Sequence, residues 1–275
     1  MDVSVIIINY NTFRLTCNCI QSIIEKTQDV SYEIILVDNG SVETDPKEFS
    51  IHFPDIKLIR SVKNLGFAKG NNLGIAGASG KYVLLLNSDT TLKNDAISIS
   101  REFLESHASV AVVTARLEFA DGTVQHNCQR FPSIRYKLFE LFRLQKFISK
   151  PSAGRILLGS FFNHDKLIFP DWTWGTFFMF RRELLDLLPE KKLTDSFFMY
   201  GEDMQWCMEF RKLGYAVAFE PSARIIHYMG QSKGRKSMLM KENHQRFMEL
   251  YYSVMHRRLI SLLDHLLSFK LTRSS

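Results

Sequence analysis

Residues 3–40 read VSVIIINYNTFRLTCNCIQSIIEKTQDVSYEIILVDNG, and this stretch decides the fold. The apolar run from Val3 to Ile8 is rich in β-branched residues, as expected for a strand buried on both faces. A helix with an apolar stripe follows, and a second buried strand runs from Tyr32 to Val37. This order of strand, helix and strand predicts a βαβ unit with parallel strands.

The same alternation continues along the chain. Further strands are expected at 56–59, 82–86, 110–117, 216–219 and 224–227. A loop that feeds a short helix is expected over 64–79, a longer helix over 96–107, and one helix over 241–275. The fold class is therefore α/β, a Rossmann-like and mostly parallel sheet flanked by helices, with a C-terminal helical extension.

The composition indicates a folded domain. The chain has 275 residues, of which 45% are hydrophobic and 23% charged, and this suits one α/β domain with an appendage. No apolar run reaches the roughly 18–20 residues of a membrane span, and the N-terminus lacks the basic start of a signal peptide. The four cysteines form no CxxC pair, which favours reduced thiols in a cytoplasmic protein over a zinc or disulfide scaffold.

The net charge of +6 is unevenly distributed. Residues 131–160 carry six Lys/Arg and one acid, and residues 233–275 carry nine Lys/Arg and three acids, so the rest of the chain is acidic. Two basic segments predict an anionic partner: nucleic acid, a membrane surface or a phosphorylated substrate. Since Phe and Leu recur at helical spacing over 136–144, a membrane surface is favoured over nucleic acid. The alternative is an amphipathic helix docked on the body.

Polar residues follow three of the predicted parallel strands, at Asn9-Tyr10-Asn11, Asp38-Asn39-Gly40 and Asn87-Ser88-Asp89. Sheets of this class bind ligands at the carboxyl ends of their strands, so these residues indicate a site. The Asp89 carboxylate could hold a divalent cation together with the oxygens of a bound diphosphate. Alternatively, Asp89 caps the helix that follows.

Two further positions carry candidate chemistry. Glu202 and Asp203 form a carboxylate pair at a helix start, where they can cap the helix or supply a general base. His227 closes an apolar strand, and it is either a structural histidine or a second ligand beside Asp89.

Two loops are also candidates for binding. The loop NLGFAKGNN (64–72) can turn its N–H groups and Lys69 towards phosphate or ribose, although it matches neither GxGxxG nor a Walker A motif. Its small residues would equally suit a helix that packs close to the sheet. The segment 172–175, WTWG, is either an aromatic platform for a sugar or base, or a hydrophobic plug under the sheet.

In this order, the segments resemble the inverting glycosyltransferases of family 2, which have the GT-A fold, in the branch that includes bacterial rhamnosyltransferases. The resemblance runs from Val3 to about Ser232. The matching stretches are VSVIIINYN (3–11), EIILVDNGS (33–41), NLGFAKGNN (64–72), YVLLLNSDT (82–90), DGTVQ (121–125), WGTFFMFRRE (174–183), FFMYGEDMQWCMEFRKLGY (197–215) and IIHYMGQS (225–232).

The resemblance implies a division of the chain into two parts. A GT-A catalytic domain would span 1–232, with a nucleotide-binding half (1–117) and an acceptor-binding half (118–232) that includes the basic amphipathic insert 131–165. A basic helical extension would span 233–275.

The resemblance also implies roles for the candidate residues. Nucleotide binding would fall to Tyr10, Asn11, Asp38, Asn64, Gly66, Lys69, Asn87 and Ser88. Asp89 and His227 would hold Mn²⁺ or Mg²⁺, and Asn87 stands where the family has its first acid. Asp203 would be the catalytic base. The acceptor or diphosphate side would be supported by Trp174, Gly175, Glu202 and Arg211.

The implied activity is metal-dependent, inverting transfer of a sugar, rhamnose from dTDP-rhamnose by resemblance, to a hydroxyl of a cell-surface glycan or a polyprenyl-diphosphate-linked acceptor. UDP-galactofuranose, UDP-hexose and UDP-N-acetylhexosamine remain open as donors, and so does a homodimer. The basic segments would hold a cytoplasmic enzyme at the inner face of the membrane, and residues 229–234 would form a lid. Alternatives from other classes are an inactive scaffold and a nucleic-acid-binding protein.

Overall fold

The computed structural model describes residues 1–228 and 236–272. The strands are β1 (Val3–Asn9), β2 (Tyr32–Asp38), β3 (Lys57–Arg60), β4 (Tyr82–Asn87), β5 (Thr90–Leu92), β6 (Val110–Glu118), β7 (Cys128–Gln129), β8 (Trp172–Thr173), β9 (Phe177–Arg181) and β10 (Ala216–His227). The α-helices are α1 (Phe13–Lys26), α2 (Lys47–His52), α3 (Phe67–Ile75), α4 (Ala96–Ser106), α5 (Ile134–Leu141), α6 (Lys150–Leu157), α7 (Glu202–Lys212), α8 (Lys236–Tyr251) and α9 (Val254–Thr272). Short 3₁₀ segments lie at Leu144–Lys146, Gly159–Phe161, Arg182–Leu187 and Pro189–Lys191.

Eight strands of the described chain form one sheet in the order β3-β2-β1-β4-β9-β6-β10-β5. The pairs β1–β2, β1–β4, β2–β3 and β6–β10 are parallel, whereas β9 is antiparallel to both of its neighbours and β5 is antiparallel to β10. The expectation of a mostly parallel sheet is therefore confirmed. The strands β7 and β8 form a separate two-stranded ribbon.

Helices cover both faces of the sheet, because alternate side chains of the buried strands point to opposite sides. Val5 and Ile7 of β1 pack in a core cluster with Cys19 and Ile23 of α1, which also includes residues of α2 and α4. Ile6, between them, packs in a second cluster with residues of α3, α7 and α8. The site at the strand ends is thus held between two layers of helices.

Several elements differ from the sequence prediction. The last two predicted strands are one strand, β10, whose pairing with β6 is interrupted between Glu220 and Arg224, where Pro221 removes a ladder donor. The C-terminal helix is two helices, because Ser253 caps a new start by accepting a hydrogen bond from the backbone N–H of His256 at 3.4 Å. The elements α2, β5, β7, β8 and β9 were not predicted.

The insert 131–165 and the C-terminal helices pack on each other and on the body. Lys137 Nζ of α5 lies 2.5 Å from Asp264 Oδ1 of α9, and Phe247 of α8 is fully buried in the second core cluster. The helix α8 therefore packs on the body of the protein. In residues 1–228 and 236–272, no helix is long and apolar enough to cross a bilayer.

Candidate active site

The carboxyl ends of β1 and β2 are linked by a buried network. Asn9 Nδ2 donates to Asp38 Oδ2 at 2.8 Å and to Ser41 Oγ at 2.9 Å, and the Ser41 N–H donates to Asp38 Oδ1 at 3.1 Å. Asp38 is 2% exposed, so its carboxylate shapes this loop from inside. Tyr10 beside it is 46% exposed and presents its ring to solvent. Asn11 accepts a hydrogen bond from the Val42 N–H at its Oδ1, at 2.9 Å.

Asn39, which the sequence placed at this strand end without a role of its own, ties the end of β2 to the glycine-bearing loop. Its Oδ1 accepts a hydrogen bond from the Leu65 N–H at 2.9 Å, and its Nδ2 donates to Asn64 Oδ1 at 3.1 Å and to the Gly66 carbonyl at 3.2 Å. Asn64 and Gly66 therefore lie at the same sheet edge as the end of β2. Lys69 is exposed on the first turn of α3.

Asp89 and His227 are brought together by the short strand β5. Thr90 pairs with His227 in the antiparallel register of β5 and β10, and the Tyr228 N–H donates to the Asp89 carbonyl at 2.9 Å. As a result, His227 Nε2 lies 3.4 Å from Asp89 Oδ1. The two residues proposed as metal ligands are thus adjacent, although 138 positions separate them in the chain.

Gln125 orients the His227 ring, and sequence reasoning missed this role. Gln125 is buried, its Nε2 donates to the His227 carbonyl at 2.7 Å, and its Oε1 lies 2.8 Å from His227 Nδ1. Because the amide nitrogen is engaged with a carbonyl, Oε1 is the acceptor and Nδ1 carries the proton. In neutral His227, the lone pair of Nε2 therefore faces the Asp89 carboxylate.

This donor set fits a divalent cation. A lone pair and a carboxylate oxygen repel each other at 3.4 Å unless a proton or a cation lies between them, and a ring N–H bonded to a neighbouring oxygen is the usual arrangement of a histidine ligand. Imidazole with carboxylate suits Mn²⁺ better than Mg²⁺, which prefers oxygen. Among residues 1–228 and 236–272, no third Asp, Glu, His or Cys joins the pair, so a bound diphosphate would supply further ligands.

Asp203 and Glu202 start α7, directly after Gly201, whose φ is 124°. Asp203 Oδ2 accepts a hydrogen bond from the Gly175 N–H at 3.2 Å, and Oδ1 accepts one from the Met204 N–H at 2.8 Å. Burial raises the pKa of Asp203, an effect that these N–H groups oppose. Burial and the neighbouring Asp203 charge raise the pKa of Glu202, whose Oε2 lacks a partner among the described residues.

The Asp203 carboxylate lies beside the strand end that carries Asp89. The Asn87 N–H donates to the Thr176 carbonyl at 3.0 Å, where β4 and β9 separate, and Gly175 is the next residue back along the chain. Asn87 and Ser88 lead from that bond to Asp89, and Ser88 Oγ lies 3.1 Å from Thr12 Oγ1. One sheet edge therefore presents the half-buried Asp203 carboxylate and the candidate metal ligands.

Gly175 permits this arrangement by having no side chain. A Cβ at this position would approach the Phe67 ring to 2.9 Å and would lie 3.8 Å from the Asp203 Cβ. Trp174 is half-buried and packs against the first core cluster, so it combines features of the predicted platform and of the plug. Its contact with an acceptor stays a prediction.

Arg211 is the one predicted site residue that the structure places in a different cluster. Its Nη1 lies 3.1 Å from Asp171 Oδ1, an oxygen that Arg130 also contacts, and its guanidinium lies 5.6 Å from the Phe131 ring centre. Arg211 lies eight positions after Asp203, which is about 12 Å along α7. Arg211 therefore connects α7 to Asp171 and to Phe131, the first residue of the insert. The predicted lid, residues 229–234, lies outside the described residues.

Comparison with known proteins identifies the family. The sequence profile described as Glycosyl transferase family 2 matches residues 4–188, more than half of the chain. The chain belongs to glycosyl transferase family 2. The family match does not favour the scaffold and nucleic-acid-binding alternatives, and it leaves the sugar, the acceptor and the metal of this member open.

Curated relatives are distant. The chain is 25% identical over 258 residues to the uncharacterized protein y4gI of Sinorhizobium fredii, covering 85% of this chain and a quarter of that protein. It is 21% identical over 217 residues to the N-acetylglucosaminyl-diphospho-decaprenol L-rhamnosyltransferase of Mycobacterium tuberculosis, covering 74% of this chain and 68% of the relative.

A solved structure confirms the GT-A fold of this family 2 member. GalNAc-T7, crystallised with UDP, GalNAc and Mn²⁺, superposes with a TM-score of 0.64 at 16% identity, covering 91% of this chain and 48% of that one. At this identity the similarity concerns the fold.

Proposed function

We propose that this protein transfers a sugar from a nucleoside-diphosphate donor to a hydroxyl acceptor with inversion at the anomeric carbon. The observation that carries the proposal is the position of Asp203, whose carboxylate accepts the Gly175 N–H at 3.2 Å, beside the strand end that bears Asp89. A base next to a diphosphate-binding edge is what a single displacement requires.

The reaction assigns one proton to Asp203. Its carboxylate takes the proton of the acceptor hydroxyl, the oxygen forms a bond to the anomeric carbon, and the bond from that carbon to the diphosphate oxygen breaks, with its electron pair leaving on the diphosphate. The N–H groups of Gly175 and Met204 hold the carboxylate in place. One displacement inverts the configuration without a covalent enzyme intermediate.

Asp89 and His227 would hold Mn²⁺ or Mg²⁺. A divalent cation there supplies charge neutralisation for the leaving diphosphate. On the nucleotide side, the exposed Tyr10 ring would stack on the base, while Asp38, Asn11, Asn64, Gly66 and Ser88 shape the pocket and Lys69 meets the anion.

A thermal-shift panel of dTDP, UDP, GDP, ADP and CMP, with and without Mn²⁺, tests the nucleotide and metal parts of the proposal. A shift with dTDP or UDP that requires Mn²⁺ is expected for the wild type, and the loss of that shift for Asp89→Ala. Asp55→Ala is the matched control, because Asp55 is an exposed carboxylate outside the site. If no nucleotide stabilises the wild type, the proposed donor site is wrong.

For the donor we propose dTDP-rhamnose, supported by the relative named as an L-rhamnosyltransferase. UDP-galactofuranose, UDP-hexose and UDP-N-acetylhexosamine are the second candidates. They are supported by GalNAc-T7, the structural neighbour that was crystallised with UDP. Initial rates of nucleotide release with each donor decide between them, with Asp203→Asn as the inactive control.

For the acceptor we propose a cell-surface glycan or its polyprenyl-diphosphate-linked precursor, reached from the cytoplasmic face of the membrane. The same relative is named for a diphospho-decaprenol acceptor. The insert supports membrane contact: Phe142 is 64% and Phe147 82% exposed, and Arg143 and Lys146 lie between them. Aromatic side chains among cations favour an anionic bilayer surface.

Flotation with vesicles of anionic or zwitterionic phospholipid tests the membrane part. The wild type should float with anionic vesicles, and the double variants Phe142→Ser/Phe147→Ser and Arg143→Glu/Lys146→Glu should not. Val62→Ser/Leu187→Ser, which changes exposed apolar residues outside the insert, is the control. If the wild type stays unbound, or if the charge reversal leaves flotation unchanged, the membrane surface is not the partner of the insert.

A further inference from the structure

The segment 197–201, which leads into Asp203, has a backbone that needs support. Tyr200 has a φ of 67° and Gly201 a φ of 124°, so two consecutive residues are in the left-handed region. For a tyrosine this conformation is costly and persists only where its surroundings hold it. Because α7 begins at the next residue, this turn sets where the Asp203 carboxylate lies.

Two hydrogen bonds from elsewhere in the chain hold this segment. The Phe67 N–H, at the start of α3, donates to the Phe198 carbonyl at 2.8 Å. From the other side, Asn243 Nδ2 of α8 donates to the Met199 carbonyl at 2.7 Å. These carbonyls directly precede the left-handed pair, so the segment is fixed between the nucleotide-side loop and the C-terminal helix.

The contact of Asn243 belongs to a face of α8 that follows helical spacing. Arg246 lies with its guanidinium 5.5 Å from the Phe197 ring centre, Phe247 is fully buried, and the Tyr251 hydroxyl donates to Glu209 Oε1 of α7 at 3.2 Å. Positions 243, 247 and 251 recur every four residues on one face. The Asn243 Cβ also lies 3.5 Å from where a Cβ of Gly201 would be.

We infer that Asn243 is a positioning residue for the base, and that α8, which lies beyond the residues 4–188 matched by the family profile, is part of the catalytic unit. Its side-chain amide donates a hydrogen bond to the Met199 carbonyl and so fixes the turn at Tyr200 and Gly201. That turn sets the position of the Asp203 carboxylate. This inference rests on the proposed role of Asp203 as the base.

Asn243→Asp keeps the side-chain shape and replaces the donor with oxygens that repel the Met199 carbonyl. We expect kcat to fall about 10- to 100-fold, since small displacements of a reacting group have effects of this size. The Kd of the donor nucleotide, measured by calorimetry, should stay within about twofold. Asn243→Ala should likewise have a lower kcat and an unchanged nucleotide Kd. Lys241→Ala, which changes an exposed residue of α8, should behave as the wild type.

Hydrogen–deuterium exchange of the full chain, with no substrate, is the second measurement. In Asn243→Asp, peptides covering 197–205 should exchange faster than in the wild type, while peptides of β1 and β4 should not change. Unchanged exchange together with unchanged kcat would overturn the inference, and so would a loss of nucleotide affinity in parallel with kcat. If the wild type transfers no sugar and yet the exchange result appears, the proposed function fails while the support of this turn by α8 stands.

Discussion

At the scale of single residues, the chemistry of the site depends on how two half-buried carboxylates, Asp203 and Asp89, are held. Asp203 has a raised pKa because it is removed from water, although two N–H groups favour its charged form. Asp89 faces a histidine nitrogen whose tautomer is set by Gln125. Each of these features can be tested by one substitution.

The first prediction concerns the pH dependence of the reaction. A base works when it is ionised, and a raised pKa moves the loss of ionisation to higher pH. The acidic limb of kcat/KM should therefore lie above 3.8, the ordinary pKa of an aspartate. Asp203→Asn should lower kcat by at least about 100-fold at the optimum and leave nucleotide binding intact. An acidic limb that is unchanged in the residual activity of Asp203→Asn would contradict the assignment.

The second prediction concerns Glu202, which is 5% exposed and has a raised pKa. The folded protein keeps this proton to higher pH than the unfolded chain does, so the free energy of unfolding decreases as the pH rises above about 4.5. Glu202→Gln removes this dependence. The difference in melting temperature, Glu202→Gln minus wild type, should increase by a few degrees from pH 5 to pH 8, as measured by calorimetry. A constant difference across this range would show that Glu202 does not carry the effect.

The third prediction concerns Gln125. Gln125→Leu removes the acceptor for His227 Nδ1–H and the donor to the His227 carbonyl. The affinity for Mn²⁺ in the presence of the nucleotide, followed by the electron paramagnetic resonance of free Mn²⁺, should fall about 10- to 100-fold. Gln21→Leu on the exposed face of α1 is the control. Equal Mn²⁺ affinities of Gln125→Leu and the wild type would remove Gln125 from this role.

At the scale of elements, the repeated strand–helix pattern was predictable and the contacts between distant elements were not. Residues 3–40 predicted β1, α1 and β2 because buried parallel strands read as apolar runs. The strand β5 has three residues, too few for a periodic signal, and yet its register with β10 brings Asp89 to His227. Gln125 and Asn39 act through bonds across the fold, which no local pattern contains.

The loop before α3 also makes a contact with a distant element that the sequence did not predict, and this contact gives the fourth prediction. Gly66 was expected to touch the nucleotide, but its φ of 80° and ψ of −177° form a combination that is essentially restricted to glycine, and a Cβ there would overlap the Phe198 carbonyl. Gly66→Ala should lower the free energy of unfolding by about 1–3 kcal/mol and also lower kcat, because Phe198 lies in the segment that leads to Asp203, the proposed base.

Gly122→Ala is the matched control for Gly66→Ala. Gly122 has a φ of 85° but no atom within 4 Å of its Cβ position, so this variant has the backbone strain without the overlap. Chemical denaturation gives the stabilities, and initial rates give kcat. If both variants lose equal stability and neither has a lower kcat, the contact of Gly66 with Phe198 does not contribute to activity.

At the scale of the whole molecule, composition predicted a folded domain, the alternation of strands and helices predicted its α/β class, and the charge pattern predicted an anionic partner. The acidic body and two basic segments are a property of the sequence, but their packing on each other through Lys137 and Asp264 is not. The family resemblance supplied candidate roles, and the fold gathered most of these residues at one sheet edge. Arg211 is the exception. It lies on the same helix as Asp203 but eight positions later, which places it about 12 Å away along the helix axis.

The position of β9 has a consequence for how the protein is made. This strand lies between β4 and β6 and pairs with both, but it is synthesised 59 residues after the end of β6. A nascent chain that has emerged only to residue 118 holds two strands whose shared partner does not yet exist, and unpaired edges of this kind invite association with other chains. The sheet cannot form completely until β9 has been synthesised, so we expect the sheet to fold only late in translation.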